Sequence, residues 1–260
     1  MTALTLAGVR LEVARFEPRA GALGSGPRPT LVFLHEGLGS LGQWRDFPQA
    51  LADATGCAAF AYSRRGYGRS APIALPRPLS FMEDEARRTL PALLAAAGIE
   101  DAILVGHSDG ASIALLYASD GHPRLKALVL EAPHVFVEEL SLASIARARE
   151  SYRKGDLRAR LLRHHGENVD GAFCGWADAW LDPAFRGWNI EAALPRVRVP
   201  TLVIQGEDDE YGSLAQVESI ERRLAGPVER LILPHCAHAP HRDQRAATLA
   251  AMTAFIVKLA

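Results

Sequence analysis

The run Gly106-His107-Ser108-Asp109-Gly110 sets a hydroxyl between two glycines. It stands where the apolar, strand-like Ile103-Leu104-Val105 gives way to the helix-like Ala111-Ser112-Ile113-Ala114-Leu115-Leu116-Tyr117. A strand that turns at once into a helix brings two backbones together, and a side chain at either glycine would collide. The same turn lifts the serine hydroxyl out at the strand's carboxyl end, beside a helix N-terminus whose unpaired N–H groups can hold a developing negative charge. Short Gly-x-Ser-x-Gly matches are common by chance; here both flanks fit, and that marks Ser108 as a candidate nucleophile.

A serine nucleophile needs a base to take its proton and a carboxylate to hold that base in the correct tautomer. The apolar Thr201-Leu202-Val203-Ile204-Gln205 runs into Gly206-Glu207-Asp208-Asp209, and the strand-like Val228 to Leu233 runs into Pro234-His235-Cys236-Ala237-His238-Ala239-Pro240-His241. Glu131, at the end of the apolar run from Leu125 to Leu130, is a further carboxylate at a strand end. The His235-x-x-His238-x-x-His241 spacing could serve a metal, but Pro234 and Pro240 break the regular helix that would put the three rings on one face. No metal and no cofactor are expected.

With the order serine, acid, histidine on the page, the chain resembles the α/β-hydrolase family over essentially its whole length. In that family the acid usually stands in Gly-x-x-Asp after its strand, which selects Asp209. The histidine usually stands in a Gly-His-x-Pro-His-like loop before the last helix, which selects His238. Some relatives, haloalkane dehalogenases among them, take the acid from the position of Glu131, which ranks second. The resemblance leaves His235 and His241 as loop and packing residues, and His35 and His107 as structural ones. It also implies an oxyanion hole: the strand Leu31-Val32-Phe33-Leu34 ends in His35-Glu36-Gly37-Leu38-Gly39-Ser40, where the family reads His-Gly-x. By position the donors are the N–H groups of Gly37 and Asp109.

Glu36 departs from the family glycine. A loop shifted by one residue would make Glu36 the donor, and its side chain reads either as a substrate or structural contact or as a solvated carboxylate. Asp109, first in its helix, is favoured there by the helix dipole; its charge would also disfavour anionic substrates and attract an ammonium group. Ser63-Arg64-Arg65-Gly66-Tyr67-Gly68-Arg69-Ser70 resembles the family's Arg-Gly-x-Gly-x-Ser turn, with Ser63 in place of the usual aspartate, and reads as architectural.

The elements that must position these groups alternate. Residues 2–17 read as a β-hairpin pivoting at Gly8, followed by a glycine- and proline-rich loop from Gly21 to Pro29. A helix is expected near Trp44–Ala54, a strand over Cys57–Tyr62 and a helix from about Ser80 to Ala97, stopped by Gly98. Strand-then-helix repetition implies an α/β fold with a mostly parallel central sheet and helices on both faces, the active groups at the strands' carboxyl ends. The alternation breaks over residues 134–196, which hold three of the four tryptophans (Trp176, Trp180, Trp188) together with Phe136, Phe173 and Phe185. That segment is expected to be a small helical cap, with residues 1–133 and 197–260 forming one hydrolase core. Its basic stretch from Arg147 to His165 carries seven Lys/Arg against two acids; a solvated face is the usual meaning of such a run, an anionic leaving group the alternative.

Composition agrees with one soluble globular unit: 260 residues, 48% hydrophobic, 23% charged and a formal net charge of −1. Nothing in that balance asks for nucleic acid or membrane, and the N-terminal residues carry no basic segment followed by a long apolar stretch. Three scattered cysteines, Cys57, Cys174 and Cys236, favour a reducing cytoplasm. The expected activity is hydrolysis of a small carboxylic ester, with thioester, lactone or amide hydrolysis open to the same groups. Carbon–carbon hydrolysis is disfavoured because such relatives carry tryptophan after the histidine, where this chain has Ala239; dehalogenases and epoxide hydrolases use an aspartate nucleophile where this chain has Ser108. A ligand sensor on the same fold is the alternative of another class.

Overall fold

A computed structural model describes residues 2–19 and 28–259. Its eight strands are β1 (Thr2–Leu6), β2 (Val9–Phe16), β3 (Thr30–Leu34), β4 (Ala59–Tyr62), β5 (Ala102–His107), β6 (Leu125–Glu131), β7 (Thr201–Gly206) and β8 (Val228–Leu233). They form one sheet in the order β1-β2-β4-β3-β5-β6-β7-β8, antiparallel where β1, β2 and β4 meet and parallel from β4 to β8. The hairpin at the amino end turns through Ala7 (φ 46°) and Gly8 (φ 82°), the paired positive φ values that match a two-residue turn to strand twist. Of the loop expected over 21–29, residues up to 27 lie outside the described part.

The central strands read as unbroken apolar runs because both faces of the sheet are covered. Alternation then sorts their side chains into two cores. Val32, Leu34, Leu104, Leu128, Leu130 and Val203 face one layer, and Leu31, Phe33, Ile103, Val105, Val129 and Ile204 the other. The second layer is closed by helices α1 (Phe47–Thr55) and, near the carboxyl end, Arg245–Val257. The first is closed by the helical run Phe81–Ala96, by Asp109–Ser119 and by the helical segment after β6.

Two expected helices differ in detail. The first begins at Phe47, not near Trp44, because Leu41–Trp44 forms a separate 3₁₀ turn that buries Trp44; Pro48 then opens α1 and Gly56 (φ 70°) closes it. The helix expected from Ser80 to Ala97 carries a π-turn at Glu85–Thr89, just ahead of Pro91. Proline lacks the N–H that would bond four residues back and crowds that carbonyl, and a widened turn accommodates both defects.

Between β6 and β7 lie the helices Glu139–Lys154, Leu157–His165 and Val169–Trp180, with a Phe136–Asn189 bridge pinching the base of the insertion. Three of the seven Lys/Arg residues in its basic stretch are paired locally: Lys154 with Glu150 at 2.9 Å, Arg158 with Asp170 at 2.7 Å and Arg160 with Asp156 at 3.5 Å. No helix among the described residues is long and apolar enough to cross a membrane.

Candidate active site

Ser108 sits just past the carboxyl end of β5 with φ 53° and ψ −120°, backbone that a residue with a Cβ adopts only under strain. The surroundings hold it there. Its N–H donates to the Glu131 carbonyl at 2.9 Å, and its own carbonyl accepts from Ala111 N at 2.8 Å. A Cβ on Gly106 would stand 2.5 Å from the Gly110 carbonyl oxygen, and one on Gly110 would run into the main-chain carbonyl of Leu34. The elbow is therefore packed backbone against backbone on its own helix and on the end of β3. Ser108 faces a small pocket of about 60 Å³ whose wall includes Gly37, Leu38, Asp109, Trp176, Tyr211 and His238.

Asp209, in the loop after β7, is buried and fixed from three sides. Its Oδ1 accepts from Tyr211 N at 2.8 Å and Gly212 N at 3.2 Å, and its Oδ2 from Gln205 Nε2 at 2.7 Å. Nδ1 of His238, from the loop after β8, lies 2.8 and 2.9 Å from the two oxygens. Burial would raise the Asp209 pKa, but the charge and hydrogen bond of His238 and the Tyr211 N–H outweigh it and hold the carboxyl below its ordinary value. A carboxylate only accepts, so Nδ1 carries the proton and Nε2 is left as the ring's basic nitrogen. The rings of Tyr211 and His134 lie 4.8 and 5.7 Å from the His238 ring. Burial, followed by the neighbouring His238 charge, drives the His134 pKa down to about 3, so that this wall is neutral.

Glu131 does not reach His238. Its Oε2 accepts from both the N–H and Nδ1 of His241, each at 2.9 Å. His241, expected as a loop or packing residue, is thus buried in a hydrogen-bonded contact with the Glu131 carboxylate on the turn Pro240–Asp243, its ring 4.6 Å from Trp44. The structure brings Asp209 and His238 together, and Glu131 and His241 separately. Among the described residues no group of His, Cys, Asp and Glu has the arrangement of a metal site.

The loop after β3, expected to carry the oxyanion donors, is held by residues whose part the sequence did not reveal. The Arg64 guanidinium, buried, donates to the carbonyls of His35 and, at 2.9 Å, Glu36, and His35 Nε2 accepts from Arg64 N at 3.0 Å. The Glu36 carbonyl also faces Gly39 N at 3.1 Å and His35 Nδ1 at 2.7 Å. In a planar trans peptide the N–H opposes the C=O, so these donors turn the Gly37 N–H the other way. A Cβ at Gly37 would strike the Trp176 indole, and glycine lets the insertion close on the loop. Ser63 bonds Leu41 N at 2.9 Å and Glu12 at 2.8 Å; Glu12, on β2, also accepts from Arg69 N at 3.0 Å. The carboxylate missing from position 63 is thus supplied from another strand.

The two unusual acids have different surroundings. Glu36 Oε2 lies 3.4 Å from His107 Nδ1; burial would raise its pKa, and His107 pulls it far below the ordinary carboxylate value. Asp109 is buried, its Oδ1 accepting from Trp180 Nε1 of the insertion at 3.2 Å, and burial pushes its carboxyl up despite Arg64 and Arg77 nearby. Asp109 therefore does more than cap a dipole: it ties the helix behind Ser108 to the insertion above it.

Residues 31–251 match the profile of the Alpha/beta hydrolase family, and the chain belongs to that family. It is 30% identical over 212 residues to the "Alpha/beta hydrolase domain-containing protein aho-3" of Caenorhabditis elegans, covering 80% of this chain and 52% of that protein. It is 31% identical over 209 residues to an "Epoxide hydrolase" of Caballeronia sordidicola, covering 78% and 56%. The chain thus spans about half the length of these two curated relatives. The fold matches the crystal structure of a proline iminopeptidase from Mycobacterium smegmatis with a TM-score of 0.76 at 19% identity, over 99% of this chain and 97% of that one.

Proposed function

We propose that this chain is a serine hydrolase acting on a small carboxylic ester, with Ser108 as nucleophile, His238 as general base and acid, and Asp209 as the group that orients His238. The observation that carries the reading is the fixed Asp209–His238 pair opening onto the same pocket as the strained Ser108. Ser108 Oγ attacks the acyl carbon while His238 Nε2 takes its proton. The N–H groups of Gly37 and Asp109 receive the developing oxyanion, and His238 returns the proton to the leaving alcohol. Water, activated by the same nitrogen, then releases the acid. Residues 134–196 act as a cap, with Trp176 and Trp180 over the acyl site.

The pocket's size and its largely apolar lining, Leu38, Ile145, Trp176, Trp180 and Tyr211, support a small, uncharged acyl group. Ser108 stands where an aspartate nucleophile would be needed for epoxide opening, so the name of the Caballeronia relative is not carried over. The test is a fluorophosphonate probe with a panel of esters, thioesters, lactones and amides. Ser108 should be labelled and esters should turn over fastest. Labelling or turnover that survives Ser108→Ala refutes the assignment.

A further inference from the structure

His107, directly before Ser108, lies among acceptors only. Its Nε2 is 2.6 Å from the His238 main-chain oxygen and its Nδ1 3.4 Å from the Glu36 carboxylate. The carbonyl fixes a hydrogen on Nε2; Nδ1 makes no hydrogen bond among the described residues, and the Glu36 carboxylate beside it favours the doubly protonated imidazolium. The other histidines of this region differ. His35 has an acceptor at Nδ1 but takes the Arg64 N–H at Nε2, and His165 takes the Gly68 N–H at Nδ1 while Nε2 faces the Leu38 carbonyl; both are neutral. The His107 side chain is 2% exposed, and a charge so buried is retained only when paired.

That pair touches three loops at once. Glu36 belongs to the oxyanion loop, and a side chain on Gly39 would collide with its carboxylate. His107 belongs to the nucleophile turn. The His238 carbonyl belongs to the loop that presents the base, whose ring lies 5.1 Å from the His107 ring. Resting on the serine-hydrolase reading, we propose that Glu36 and His107 are positioning residues whose buried ion pair locks oxyanion loop, nucleophile and base into one register. Glu36, the departure from the family glycine, is then the partner that the histidine before the nucleophile requires.

The groups facing His107 are Glu36 from the oxyanion loop, Glu131 from β6, and His238 and His241 from beyond β8. Burial alone would lower its pKa; the adjoining Glu36 carboxylate, then Glu131 and the His238 carbonyl, raise it to about 9. The clamp is therefore intact at neutral pH and released above about pH 9.

The experiment measures kcat and KM for a neutral p-nitrophenyl ester, and the fluorophosphonate labelling rate, from pH 6 to 10.5 in wild type, Glu36→Gln and His107→Gln. Wild type should lose kcat and labelling on an alkaline limb near pH 9, matched by one histidine NMR resonance titrating there. Glu36→Gln should move that limb to lower pH and cut kcat about tenfold to a hundredfold, the scale of one lost buried charge contact, with KM changed less than about threefold. His107→Gln retains an N–H donor but no titration, so its limb should vanish. A wild-type labelling profile flat to pH 10.5, or a limb unmoved in Glu36→Gln, overturns the positioning role. If the variants do not fold, the wild-type limb and histidine resonance decide. Should Ser108 take no label at any pH, the serine-hydrolase reading falls, and the positioning role with it.

Discussion

Replacing Asp209 by asparagine preserves size and removes one charge, and the hydrogen bonds around it dictate how the amide must sit. Tyr211 N and Gly212 N both donate to Oδ1, so the asparagine oxygen takes that place and its NH₂ takes the place of Oδ2. There it meets Gln205, whose amide would have to turn over to accept and would then give up its 3.0 Å bond to the Gly212 carbonyl. It also meets His238 Nδ1, 2.9 Å away. A donor facing Nδ1 stabilises the tautomer with hydrogen on Nε2, and that nitrogen can no longer take the Ser108 proton. The expected loss in kcat is ~10³–10⁴, or about 4–5.5 kcal/mol of transition-state stabilisation. Glu131→Gln is the matched control: it weakens the buried contact with His241, worth about 1.5–3 kcal/mol, and removes the weaker of the two acidic charges facing His107, and its kcat should stay within about tenfold of wild type. Initial rates on a p-nitrophenyl ester, with thermal melts to show that both variants fold, give the ranking. Asp209→Asn within tenfold of wild type, or Glu131→Gln the more damaging of the two, would refute the reasoning.

Two further outcomes follow from the packing and charge of the pocket. Gly110→Ala drives a methyl into the Leu34 and His35 carbonyls and should cost about 1–3 kcal/mol or more in stability, with esterase activity falling at the same time because the oxyanion loop begins there; an unchanged melting temperature would contradict the close approach. No lysine or arginine lines the pocket while Asp109 does, and the Glu36 charge is offset by His107. Neutral esters should therefore have higher kcat/KM than isosteric esters with a carboxylate near the scissile bond, and Asp109→Asn should narrow that gap; a wild-type preference for the carboxylate would reverse the argument.

The sequence by itself determined what rests on local sterics and local periodicity. Gly106 and Gly110 bracket Ser108 because two backbones cross there, and that requirement is written within five residues. The apolar runs of β3, β5, β6 and β7 mark strands buried on both faces, and so a covered parallel sheet. Only the tertiary structure decided which carboxylate meets which histidine. Asp209, Glu131 and Glu36 all lie at strand ends, and the order of strands in the sheet, with the path of each loop, gives the first to His238, the second to His241 and the third to His107. The Arg64 contacts with the oxyanion loop and the substitution of Glu12 for an acid at position 63 join residues about 28 and 51 apart in the chain. No periodicity within a segment carries such pairings, because hydrogen bonds between loops are fixed by where the sheet delivers their ends. Residue types make such contacts possible; their geometry belongs to the fold.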